Sequence, residues 1–82
     1  MLYRFNLRED ANIVTDDEGA DLPDIAAAKA YAIVAARSII AGDVLCGTLA
    51  LSHSIEVTSE DGSHLMIVRF TDAVTIEGPS IT

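Results

Sequence analysis

The sequence predicts an α+β domain of order ββαββ, with one long helix packed on a small antiparallel sheet. Three observations predict it. Apolar and polar residues alternate near both ends of the chain, the period of half-buried strands. Between them, Ile25 to Ile40 is a run of helix formers with no Gly or Pro. Turn-forming clusters at Asp16-Asp17-Glu18-Gly19 and Glu60-Asp61-Gly62 punctuate the two β regions.

Taken in order, Tyr3, Phe5 and Leu7 alternate with Arg4 and Asn6, which makes Leu2 to Leu7 the first strand. The polar stretch Arg8 to Asn12 is read as a five-residue hairpin connection, and Ile13-Val14-Thr15 as the answering strand. Gly19 supplies a positive φ to the turn that ends it. Asp21-Leu22-Pro23-Asp24 starts the helix, with Asp21 read as the cap and Asp24 at the positive end of the helix dipole. The helix is expected to run through Gly42 and to stop at Gly47. Ile55 and Val57 alternate with Ser54, Glu56 and Thr58, and Leu65 to Phe70 answers them across Glu60-Asp61-Gly62. Asp72 to Glu77, with Val74 and Ile76, is read as a short terminal strand, and the first strand is expected beside one strand of the C-terminal hairpin. The 82 residues hold one core, so residues 1–82 form a single small domain, with 78–82 as a frayed tail.

Quoted along the chain, Tyr3-x-Phe5, Asp17-Glu18-Gly19-x-Asp21-Leu22-Pro23-Asp24 and the alanine-rich helix make a pattern. It continues through Ile55-Glu56-Val57-x-x-Glu60-Asp61-Gly62 and Val68-x-Phe70-x-Asp72-Ala73-Val74. This resembles a family of short alphaproteobacterial proteins carried as a domain of unknown function, over about residues 2 to 77. The resemblance implies a cytosolic bacterial protein. It brings no functional residue with it.

The chemistry of the side chains favours no enzyme. Thirteen acidic residues stand against five basic ones, and the net charge of −8 repels nucleic-acid phosphates and anionic lipid. The N-terminus lacks a signal peptide, and the helix carries Lys29, Arg37 and Asp43, so a cytoplasmic protein that neither enters nor docks on a membrane is expected. Asp16, Asp17, Glu18, Asp21 and Asp24 crowd into one segment but lack the spacing of a cation loop. His53 and His64 sit on adjoining strands, where they could approach one another toward the hairpin, but no third metal ligand stands at a recognised interval. The single cysteine, Cys46, is read as a small buried hydrophobe. The serines lack a nucleophile-elbow setting, and no phosphate-cradling glycine loop occurs. The sequence therefore assigns no catalytic residue, metal or cofactor.

One feature points outward. On a helical wheel Ile25, Ile33, Ile40 and Val44 fill one sector, while Tyr31, Val34, Ile39 and Leu45 fall across much of the other. In the last strand Met66, Val68 and Phe70 are expected to face the helix, with Leu65 and Ile67 turned away. Leu2, Tyr31, Val34, Leu65 and Ile67 are thus the candidate self-association surface, and a homo-oligomer, a dimer first, is the expected partner state. The function expected is a non-enzymatic, self-associating interaction module. The alternative is a small-ligand or metal-binding regulatory protein.

Overall fold

A computed structural model describes residues 1–78. The strands β1 (Leu2–Glu9), β2 (Asn12–Val14) and β3 (Ala20–Asp21) precede the helix α1 (Ile25–Leu45). The strands β4 (Ser54–Ser59) and β5 (His64–Arg69) follow it, and a single helical turn, α2 (Phe70–Ala73), closes the order. The sheet runs β2-β1-β4-β5, all antiparallel, with β3 also paired to β1. The α+β class stands, and the first strand does lie beside the C-terminal hairpin, in the register Phe5 to Val57.

The helix meets the sheet through its smallest side chains. Ala28, Ala32 and Ala36, spaced by four, are all fully buried and form the stripe that lies on the sheet. The bulk comes from Tyr3, Ile55, Val57 and Val68 of the sheet and from Phe70 of α2, which fill the space left by the alanines. Ile33, Ile39 and Ile40 pack along the margins of this core, and the Tyr31 ring leans on Phe5 with centroids 4.4 Å apart.

Asp24, not Asp21, caps α1. Its carboxylate accepts the Ala27 N–H at 2.8 Å. Asp21 is occupied in β3, where it pairs with Leu2 and binds the N-terminal amine at 3.0 Å. The far end closes with the Thr48 N–H bonded to the Asp43 carbonyl and the Gly47 N–H to Val44, the arrangement of a Schellman motif. The helix therefore runs unbroken through Gly42, as expected.

Four local readings are corrected. The first hairpin turns on Asp10 and Ala11 alone, with Asp10 at φ 38°, because β1 extends to Glu9 and pairs with Asn12. β3 is a strand too short to leave a periodic signal. The segment after β5 is helical, not extended: Phe70 and Ala73, three apart, are both buried, and the Asp72 carboxylate accepts the Arg69 N–H. No strand follows at Val74 or Ile76 among the described residues. Residues 79–82, in the expected tail, lie outside the described residues.

Candidate interaction surface

The acidic segment after β2 has structural work. β2 and β3 flank the same side of β1 but leave a gap between Leu7 and Tyr3. Asp16 fills it: its carboxylate accepts the N–H groups of Phe5, Gly19 and Glu18 at 3.1, 3.0 and 3.2 Å. Its own N–H donates to the Asn6 side-chain oxygen, and Arg4 donates to the carbonyls of Asp16 and Asp17. Partial burial alone would raise the Asp16 carboxyl. The three backbone hydrogen bonds and the Arg4 charge together outweigh it and hold the group below its ordinary value. Asp16, Asp21 and Asp24 are thus structural, and no group of three or more His, Cys, Asp or Glu that could hold a metal ion occurs among the described residues.

The histidines do not converge. His64 pairs across from Thr58 and lies 3.2 Å from Glu56, which also receives Arg8. His53 stands before the opposite end of β4, five residues and about 17 Å away at strand rise, with its ring in a T-shaped contact with Phe70 and Asp10 3.6 Å from it. Cys46 is exposed, not buried, because it caps the helix end.

The two candidate faces differ. On β5, Thr58 opposes His64 while Val57 opposes Met66, which leaves Leu65 as an extra residue in a bulge. The bulge turns Leu65 inward, so it packs against the core beside Met66, and only Ile67 faces outward. The outer edge of β5 is short. The Phe70 N–H donates to the His53 carbonyl, and by alternation Val68 and Met66 also bond to β4. Ile67 is left at the free edge, with the bulge before it and the Asp72-capped Arg69 N–H after it. Between β5 and α1 lies an open groove of about 560 Å³, lined by Lys29, Ile33, Met66, Ile67, Val68 and Asp72. Leu2 is half-buried and lies against the turn at Gly19.

The outward face of α1 is the larger apolar surface. Tyr31 is 46% exposed, Val34 63% and Leu45 88%. By length and composition alone α1 also passes for a membrane span, a test that the core helix of a soluble protein meets equally well. Leu45 extends this surface beyond the five residues that the sequence points to, and the helical wheel places it in line with Tyr31 and Val34.

Comparison with curated proteins and with solved structures gives no match. A family model does match, over residues 2–71, from the first strand to the start of α2. The chain belongs to the family described as domain of unknown function DUF6894.

Proposed function

We propose that this protein is a non-enzymatic, cytoplasmic interaction module that assembles with itself through the outward face of α1. The observation that carries the reading is the line Tyr31, Val34, Ser38, Ala41 and Leu45, all exposed and none charged, along one side of the helix. Burying a Val or Leu side chain stabilises by about 1.5–3 kcal/mol, so several per chain can offset part of the cost of association. A two-fold pair lets one patch bury its own copy. The opposing −8 charges make added salt strengthen such a contact.

Light scattering after size exclusion tests it over concentrations from about one to some tens of micromolar, the range in which a weak contact shifts between one chain and two. The expected mass exceeds one chain and rises with concentration. Val34→Glu returns it to one chain with little change in the melting temperature, because Val34 is already largely exposed. A single-chain mass for the native protein at every concentration and salt level rejects the reading.

A further inference from the structure

The outward face of α1 carries a register as well as apolarity. Ala27, Tyr31, Val34, Ser38, Ala41 and Leu45 follow one another at intervals of four, three, four, three and four. That alternation matches the spacing along the seam of a two-helix coiled coil, where side chains so spaced stay in line along the contact. The six are uncharged, and all except half-buried Ala27 are exposed.

The sizes along the seam decide the orientation. In a parallel pair every residue meets its own copy. Alanine would face alanine at 27 and 41, leaving voids, while Tyr31 against Tyr31 and Leu45 against Leu45 would force the helices apart. In an antiparallel pair about a two-fold axis midway between Val34 and Ser38, the partners change. Leu45 meets Ala27, Tyr31 meets Ala41 and Val34 meets Ser38, all in one register. Each layer then sets a larger side chain against a smaller one, so all layers fill at one interhelical distance.

We infer that two copies of this chain pair antiparallel through α1, with Leu45 of each seated against Ala27 of the other. The inference rests on the self-association reading above and adds orientation and register to it.

The flanks and the charges agree. Ala35 and Gly42 border one side of the seam, and a Cβ at Gly42 would meet nothing within 4 Å, so the helices approach freely there. On the other side the one charged neighbour is Arg37, and its Nε donates to the Ala73 carbonyl at 2.6 Å, drawing it toward α2. Within α1 two basic residues, Lys29 and Arg37, face one acidic residue, Asp43, against −8 for the whole chain. Pairing through α1 therefore joins two segments that each carry a small net positive charge within acidic molecules. The helix is about 31 Å long, and half its circumference over that length is roughly 500 Å² per chain. A pair then buries about 1,000 Å², the lower bound of a specific interface, which fits a weak, concentration-dependent dimer. In that dimer the helices form the middle and the two sheets lie outside, each presenting Arg8, Glu56 and His64 on its outer face.

Cysteine cross-linking in a Cys46→Ser background tests the orientation. Ala27→Cys and Leu45→Cys are made singly and together and mildly oxidised. The two positions lie about 27 Å apart on one helix, too far for a bond within the chain. The double variant is expected to run as a disulfide-linked dimer, and each single variant as an unlinked chain. Tyr31→Cys with Ala41→Cys repeats the test at the next layer, and melting of every variant beside it separates a lost contact between copies from a lost fold, since the Tyr31 ring also packs on Phe5. A single variant that links to its own copy means parallel pairing and overturns the orientation while self-association stands. A native dimer by mass with no cross-link in any variant overturns α1 as the contact. A single-chain mass for the native protein overturns both the orientation and the reading beneath it.

Discussion

The carbonyl oxygen of Tyr3 lies 2.6 Å from the point where a Cβ on residue 19 would stand. Gly19 is therefore required twice: for space against β1, and for its φ of 74°, which side chains disfavour. Gly62, at φ 89°, has nothing within 4 Å of such a Cβ, so only the backbone conformation demands glycine there.

These positions separate space from strain. Gly62→Val should lower stability by roughly 1 kcal/mol or more through backbone strain. Gly19→Ala should cost more, about 2 kcal/mol or above, because β1 must also give way. Thermal melting of the two variants checks the order. A milder effect at Gly19 would show that β1 moves aside freely.

Asp16 replaces a stretch of missing strand, so its removal exposes a fault in the sheet. Asp16→Ala leaves the Phe5 and Gly19 N–H groups without their acceptor and should destabilise by about 1–3 kcal/mol. Denaturant unfolding measures it, and an unchanged midpoint would mean that water or Asp17 takes over.

Acid should weaken the fold through two carboxylates. Asp16 is held below its ordinary value, and Asp61 is lowered to about 2 by hydrogen bonds from the Ser59 hydroxyl and from Ser63. A carboxyl lowered by folding stabilises above its unfolded value and loses that contribution as pH falls through the folded one. For Asp61 the loss should therefore fall between about pH 4 and pH 2, and for Asp16 it sets in as pH falls below about 4. Asp16→Asn should remove that residue's share of the acid-induced loss, which melting at stepped pH below about 4 records.

Arg37 ties α2 to the helix. Arg37→Met keeps much of the side-chain stem but deletes the donor to the Ala73 carbonyl, and should cost about 1–2 kcal/mol. Hydrogen exchange at residues 70–73 should rise ahead of global unfolding. Unchanged protection would place the hold of α2 in Phe70 alone.

Chelation should leave melting unchanged, since the carboxylates nearest to a cation-loop pattern are spent on a cap, a strand gap and the N-terminal amine. A drop of several degrees with EDTA would revive a metal role.

The sequence by itself determined the elements whose signals are local. Tyr3, Phe5 and Leu7 alternate because β1 has one buried face. The helix formers after Asp24 make α1, and Gly62 ends the second turn because backbone conformation is set within a few residues. Tertiary structure decided what depends on distant partners. The wheel has apolar residues on nearly every side, but only the bulky Ile55 and Val57 of the sheet and Phe70 of α2 select the alanines as the buried stripe. The bulge that turns Leu65 inward comes from the register of β4 against β5. β3 exists only because β1 offers its edge, and Asp16 became structural because that edge left a gap. Periodicity fixes which residues share a face, and burial is decided by the volume that another element brings against that face.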